Sequence, residues 1–248
     1  MMNNNLYTAV GKFHIKGSVG GMRCPLVTLG GREFILDMQE MTLWTILNWR
    51  ILTEEEIINE YKAIKRLAPF ENLLLVTGEK KVQETGFLSS RSAEECVRRL
   101  VQRGLIAKGI GDTGADALYD LLSELYVIPI SENLFLRVIS FIRLTFFSRI
   151  PYSVTKRIFS KDKRSDSEKK VMRLANQAVL STAEIIKCID QNVLTFATDE
   201  DLLDVLYHDD YTTSDNIAYS VRFLPQCRPV ITSVANLYLR KQIIWGRS

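Results

Sequence analysis

The 248-residue chain has little of what most enzymes and secreted proteins depend on. It contains two histidines, and its four cysteines (Cys24, Cys96, Cys188 and Cys227) are far apart and form no Cys-x-x-Cys pair. This spacing excludes a zinc knuckle and a disulfide framework, and it is typical of a reduced cytoplasm. No nucleophile–base–acid order is recognisable either, so we expect a binding protein rather than an enzyme, with no cofactor and no metal site.

The sequence also shows no pattern typical of a signal peptide or of a membrane span, so we expect neither. Its N-terminus is polar, and its most apolar segment, residues 134–147, is about 14 residues long and contains two arginines. A membrane span needs about 20 residues with few charges, so a buried helix and no membrane partner are expected. A helix this apolar lies in a core or buries against a second copy of the chain, which leaves a homodimer open.

The first residues carry strand and hairpin signals. Residues 6–16 alternate in part between apolar and polar side chains, which predicts one strand. Two short apolar runs, 25–29 and 32–36, flank Gly30-Gly31. A Gly-Gly pair supplies the positive φ angles of a tight hairpin turn, so three strands are predicted before the first helix.

Three helices are predicted next. Asp37 caps the first, whose apolar stripe runs to about Ile51, and capping boxes that begin at Thr53 and Ser92 open the other two. The third helix ends at Gly104, after which residues 105–107 begin a strand. Three strands, three helices and a strand predict a winged helix over residues 1–110.

Residues 111–248 are predicted to be mostly helical. Apolar stripes indicate helices at 115–125, 131–149, 168–190 and 230–239, and the apolar residues 243–245 are expected to dock on the core. A capping box at Ser181 lies inside the third of these helices and suggests that it is two helices. The predicted fold class is therefore α+β, mainly α: an N-terminal winged helix followed by a helical domain that dimerises or senses a signal.

The N-terminal pattern resembles two known families. The hairpin that leads into an Asp-capped helix with Trp44 is similar to the PqqD-like peptide-recognition domain. The segment 97–106 contains the phrase Leu-x-x-Arg-Gly-Leu-Ile and resembles the end of the recognition helix in the winged helix-turn-helix of bacterial regulators. Both resemblances cover about 100 residues with short motifs, so they support a fold better than a function.

The resemblance to regulators implies double-stranded DNA as the partner. In these proteins the outward residues of the third helix enter the major groove; here they would be Arg91, Arg98 and Gln102, with Arg103 and Lys108 beside them. Arginine pairs with guanine and glutamine with adenine, so the side chains suit base contacts. We expect a cytoplasmic DNA-binding transcriptional regulator, although a net charge of +3 decides little by itself.

The resemblance to PqqD-like domains implies a different partner. In that family a peptide lies in the groove between the third strand and the third helix, which would involve Phe34, Leu36 and Arg98. The alternative function is therefore a peptide- or protein-recognition adaptor.

A glycine-rich segment, Gly109–Gly114, offers a third hypothesis. It matches Gly-x-Gly-x-x-Gly, follows a short strand and precedes a helix, as in dinucleotide-binding proteins. A dinucleotide-binding domain also needs several parallel strands that alternate with helices, and no such series follows. A turn is therefore the favoured interpretation, and nucleotide binding is the weaker one.

Overall fold

The computed structural model describes residues 4–17, 23–67, 91–130, 164–209 and 211–247. In these ranges the chain is a mixed α/β protein with nine helices and three small antiparallel sheets. The strands are β1 (Asn4–Ala9), β2 (Lys12–Gly17), β3 (Arg23–Leu29), β4 (Arg32–Ile35), β5 (Leu52–Thr53), β6 (Ile106–Gly111), β7 (Tyr126–Pro129), β8 (Leu180–Ser181) and β9 (Ile243–Gly246). The helices are α1 (Met38–Leu47), α2 (Glu54–Leu67), α3 (Ala93–Gln102), α4 (Gly114–Leu122), α5 (Asp166–Ala175), α6 (Thr182–Asp190), α7 (Asp199–Tyr207), α8 (Ile217–Val221) and α9 (Cys227–Leu239).

The predicted hairpin is confirmed, but the strand predicted over residues 6–16 is wrong. β3 and β4 pair antiparallel around Gly30 and Gly31, whose φ angles are 54° and 76°. The earlier segment forms two strands, β1 and β2, which belong to different sheets. The break lies at Gly11, where φ is 95° and an added Cβ would lie 2.6 Å from Val27 Cγ1. Only glycine lets the chain turn there.

The C-terminal part is less helical than the sequence predicts, because it contains a sheet with the strand order β8-β7-β9. The helix predicted over 168–190 is two helices, α5 and α6, separated by β8. The apolar segment predicted to dock on the core is β9, which pairs with β7. The helix predicted at 131–149 lies outside the described residues.

The chain contains the same structural motif twice. The N-terminal motif consists of β1, α1, β5, α2, α3 and β6, and the C-terminal motif consists of β7, α5, β8, α6, α9 and β9. In each motif one central strand pairs antiparallel with a two-residue strand on one side and with the strand after the last helix on the other. The other described elements are additions to this repeat: β2, β3, β4, α4, α7 and α8.

The strand registers of the two motifs agree. Tyr7 of the central strand lies opposite Lys108 in the N-terminal motif, and Val127 lies opposite Trp245 in the C-terminal motif. The residue just after each central strand also donates the same backbone hydrogen bond, at 3.0 Å in both motifs. These bonds run from Val10 N to Leu105 O and from Ile130 N to Gln242 O.

The first helix of each motif has the same buried anchor. α1 and α5 both have ten residues and open with a capping box whose glutamate, Glu40 or Glu168, is 2% exposed. Each glutamate forms an ion pair with the arginine that follows the last helix: Glu40 with Arg103 at 2.7 Å and Glu168 with Arg240 at 3.3 Å. The first and last helices of each motif are therefore joined by charge as well as by apolar packing.

Two hydrophobic cores correspond to the two motifs, and they meet at β1. Tyr7 and Ala9 on one face of β1 lie in the N-terminal core, whereas Val10 and Ala107 belong to the C-terminal core. α4 packs on β6 and β1 and connects the motifs. None of the helices in the described ranges has the length and apolarity needed to cross a membrane.

Candidate functional site

A groove of about 440 Å³ opens beside α3 in the N-terminal motif. It lies between the outer face of α3, the start of α2 and the Tyr7–Lys108 pair of the sheet, and we call it the α3–β6 groove. Its polar and charged lining includes Tyr7, Glu54, Glu94, Glu95, Arg98, Gln102 and Lys108.

The sequence of α3 explains which side chains face the groove. Ser92 caps the helix by accepting a hydrogen bond from the backbone of the third helical residue at 3.1 Å. Val97 and Leu100 are buried in the core, so Arg98 and Gln102, one helical turn apart, point outward and are exposed. Neither side chain makes a hydrogen bond or ion pair with any described residue. Both are therefore available to a ligand.

Tyr7 forms the polar end of the groove. Its hydroxyl donates a hydrogen bond to Glu54 Oε2 at 3.3 Å, and Lys108 Nζ lies 5.8 Å from the centre of its ring. Burial, together with the nearby Glu54 carboxylate, raises the pKa of Tyr7 to about 12. The phenol therefore stays neutral and acts as a hydrogen-bond donor.

The charges of the groove are mixed. Three carboxylates, from Glu54, Glu94 and Glu95, line it against two cations, Arg98 and Lys108. Hydrogen bonds from its own backbone and from Ser92 lower the pKa of Glu94, which further favours the ionised carboxylate. A surface that binds a nucleic-acid backbone carries an excess of lysine and arginine, and this one does not.

The structure brings together three of the five residues predicted to contact DNA, namely Arg98, Gln102 and Lys108, and separates them from the other two. Arg91 forms an ion pair with Asp37 at the start of α1. Arg103 pairs with the buried Glu40 and donates a hydrogen bond to Ile35 O at 2.8 Å. Both arginines therefore hold α1 and β4 on another side of α3.

The residues predicted to form a peptide groove do not share one surface. Leu36 is fully buried in the N-terminal core. Phe34 is half-buried, and the Arg103 guanidinium lies 5.8 Å from the centre of its ring. Arg98 faces the α3–β6 groove instead. Peptide binding between β4 and α3 stays a prediction, but these three side chains are not its common lining.

The glycines of the Gly-x-Gly-x-x-Gly segment have a packing role. A Cβ at Gly109 would lie 2.3 Å from Ala117 O, and one at Gly111 would lie 2.3 Å from Ala117 N. Glycine therefore lets the α4 backbone lie directly on β6. β6 pairs antiparallel with β1, whereas the dinucleotide-binding fingerprint belongs to a parallel sheet.

The C-terminal motif has a counterpart of the α3–β6 groove. α3 and α9 end with the same pair of backbone hydrogen bonds, and this correspondence makes Tyr238 the counterpart of Val101. The strand register makes Trp245 the counterpart of Lys108. Tyr238 is 1% exposed and Trp245 is 0% exposed, with ring centres 4.8 Å apart. The counterpart surface is therefore apolar and covered.

The N-terminal motif itself covers this counterpart surface. The Tyr238 hydroxyl accepts hydrogen bonds from Trp49 N at 2.9 Å and from Thr8 Oγ1 at 3.0 Å. Gly11 N donates to Trp245 O at 2.9 Å. In the C-terminal copy, the groove between the last helix and the last strand thus holds polypeptide backbone, whereas no described residue fills the N-terminal copy.

Sequence reasoning missed this second groove, although a signal for the repeat exists. The segments 52–58 and 180–186 read Leu-Thr-x-x-Glu-Ile-Ile and Leu-Ser-x-x-Glu-Ile-Ile, and each spans the short strand and the start of the second helix of its motif. Aligning them would have indicated the duplication, whereas the correspondence of Lys108 and Trp245 follows only from the strand registers.

No family model matches the chain, and no curated protein or solved structure matches it either. In the described residues, no group of histidine, cysteine, aspartate and glutamate side chains is arranged to hold a metal ion. Asp209, which lies shortly after α7, forms an ion pair with Lys187 Nζ at 3.0 Å.

Proposed function

We propose that this protein is a recognition module that binds a segment of a partner protein in the α3–β6 groove. The observation that carries the proposal is the contrast between the two motifs. The C-terminal copy of the groove is filled by backbone from Gly11 and Trp49. By contrast, no described residue fills the N-terminal copy, where Arg98 and Gln102 make no hydrogen bond with the described residues. A surface that holds polypeptide in one copy has a suitable shape for polypeptide in the other.

The chemistry of the open groove supports this proposal. Val97 and Val101 supply an apolar wall, and Arg98 and Gln102 offer hydrogen-bond donors that no described residue uses. Apolar contact surrounded by a few convergent polar groups is the usual composition of a peptide-binding groove. The order of helices and strands in each motif is compatible with a winged-helix fold, in which the last helix presents the binding surface.

A DNA-binding regulator is the second candidate. Arg98 and Gln102 favour it, because they project from successive turns of α3 and suit guanine and adenine. Glu94 and Glu95 on the same helix oppose it, since both would lie close to the phosphates. The protein partner is therefore preferred.

Photo-crosslinking in living cells tests the proposal. The full chain is expressed in its own host with a photoreactive amino acid in place of Gln102, and in a control variant in place of Val179, which is 68% exposed on the C-terminal motif. We expect the Gln102 position alone to give adducts that protease removes and nuclease does not. Nuclease-sensitive adducts would replace the proposal with DNA binding, and the same adducts at both positions would refute a role for the groove.

DNA binding in solution provides the second arm. The purified chain is titrated with its own upstream duplex and with a scrambled duplex at several salt concentrations. We expect weak binding without preference, unchanged by Arg98→Glu. Tighter binding to the native duplex, with a steep salt dependence that Arg98→Glu removes, would establish the regulator instead.

A further inference from the structure

Resting on the proposed function, we infer that the partner binds as an extended segment whose backbone pairs with the outer edge of β6 at Lys108. The ligand class is thus an extended peptide segment of a protein, held by main-chain hydrogen bonds as an added strand.

The orientation of β6 leaves the Lys108 backbone at the edge of the sheet. Leu105 O accepts the hydrogen bond from Val10 N, so alternate residues, Ala107 and Gly109, face β1. Lys108 and Ile110 therefore turn their N–H and C=O groups away from β1. Ile110 N confirms this orientation, because it donates to the Asp120 side chain at 2.8 Å. By contrast, no described residue forms a hydrogen bond with the outward-facing N–H or C=O group of Lys108.

The C-terminal motif shows how such an edge position is used. Trp245 is the counterpart of Lys108, and its carbonyl accepts a hydrogen bond from Gly11 N, which belongs to the N-terminal motif. Beside it, the hydroxyl of Tyr238 on the last helix accepts a hydrogen bond from Trp49 N. An incoming backbone therefore meets both the edge of the last strand and the outer face of the last helix.

The side chains around Lys108 define the chemistry of the segment. The residue that binds at the counterpart position, Gly11, is glycine because of its own turn, so the size of the residue opposite Lys108 is left open and charge defines the segment. Arg98 and Lys108 form the cationic part of the groove, and Glu94 and Glu95 lie nearer the start of α3. The segment should carry an acidic side chain toward Arg98 and a basic one toward the two glutamates.

The probe is a phage-displayed library of random dodecapeptides, selected on the full chain. We expect enriched peptides that carry an acidic and a basic side chain, whose affinity falls roughly tenfold in Arg98→Glu. Arg228→Glu, which alters an exposed arginine on α9, is the matched control and should leave the affinity unchanged. The peptide should also slow hydrogen exchange at the Lys108 amide.

Backbone methylation separates this inference from the proposed function. Each amide of the best peptide is N-methylated in turn, and main-chain pairing predicts that every second methyl group abolishes binding. Peptides that need Arg98 but tolerate methylation at every position would overturn strand pairing and leave the proposed function standing. If every selected peptide binds Arg98→Glu as well as the natural chain, both the inference and the proposed function fail.

Discussion

At the scale of single residues, Glu40 is a buried carboxylate that joins the first and last helices of the N-terminal motif. It is 2% exposed, completes the capping box of α1 and lies 2.7 Å from Arg103 Nη1. Arg99 Nε is 3.2 Å from its other oxygen, at an angle that makes no hydrogen bond. Glutamine keeps the cap but removes the charge that two arginines need.

We predict that Glu40→Gln lowers the free energy of unfolding by about 3 kcal/mol, because it breaks a buried ion pair from one side. Urea unfolding of the full chain measures this change. Glu168→Gln is the matched control: its partner, Arg240, is farther away and 39% exposed, so a smaller loss is expected. Equal losses of unfolding free energy in the two variants would show that the glutamate charge acts through the helix cap and not through the ion pair.

Replacing two glycines of the segment 109–114 by alanine should have opposite effects on the stability of the fold. Gly109→Ala places a Cβ 2.3 Å from Ala117 O, so α4 must move away from β6, and a loss of about 2–4 kcal/mol is expected. Gly114→Ala meets no atom within 4 Å at the start of α4 and should be neutral or stabilise by about 0.5 kcal/mol. Thermal unfolding compares the two variants. A tolerated alanine at Gly109 would contradict the packing role.

Asp209 gives a pH-dependent prediction. Hydrogen bonds from Thr212 and Lys187 lower the pKa of this carboxyl from 3.8 to about 2. A pKa that is lower in the folded state means that the carboxylate stabilises the fold above pH 3.8 and that this contribution is lost as the pH falls toward about 2. The Tm of Asp209→Asn should therefore lie below that of the natural chain at neutral pH, and the difference should shrink on acidification. A difference independent of pH would refute this assignment.

At the scale of elements, Tyr238 joins α9 to the end of α1 and to β1. Its buried hydroxyl accepts hydrogen bonds from Trp49 N and Thr8 Oγ1. We predict that Tyr238→Phe lowers the free energy of unfolding by about 1–3 kcal/mol, because it leaves the N–H of Trp49 without its acceptor. Tyr219→Phe, at a position that is 75% exposed, is the control and should have no effect on urea unfolding. No difference between the two variants would show that water replaces the hydroxyl.

Elements that depend on local chemistry were predictable from the sequence. Asp37, Thr53, Ser92 and Ser181 mark helix starts because capping is decided within three residues. The sheet β8-β7-β9 was not predictable, since a two-residue strand such as β8 has no period to detect. The three strands of this sheet are far apart in the sequence and come together only when the chain folds.

The candidate site was predictable in part for the same reason. Helical spacing alone places Arg98 and Gln102 on one outward face of α3. Arg91 and Arg103 carry the same charge in the same stretch of sequence, but their partners, Asp37 and Glu40, lie on a helix much earlier in the chain. Only the fold reveals that these two arginines are engaged.

At the scale of the whole molecule, the two motifs should unfold together. β1 serves both cores, because Ala9 packs in the N-terminal core and Leu6 packs against the C-terminal one. We predict equal opening free energies for the most protected amides of the two cores, for example Leu43 and Ile186, in native-state hydrogen exchange. Two separate values would show that the motifs open independently.

The hydrogen bond between Trp49 N and Tyr238 also has a consequence for synthesis on the ribosome. The acceptor is made 189 residues after the donor. While the chain grows, the backbone around Trp49 must remain hydrated or find a temporary partner, since its permanent one does not yet exist. A chaperone that shields nascent chains would have to cover this surface until α9 is made, and a stalled or truncated product that lacks α9 would leave the surface exposed.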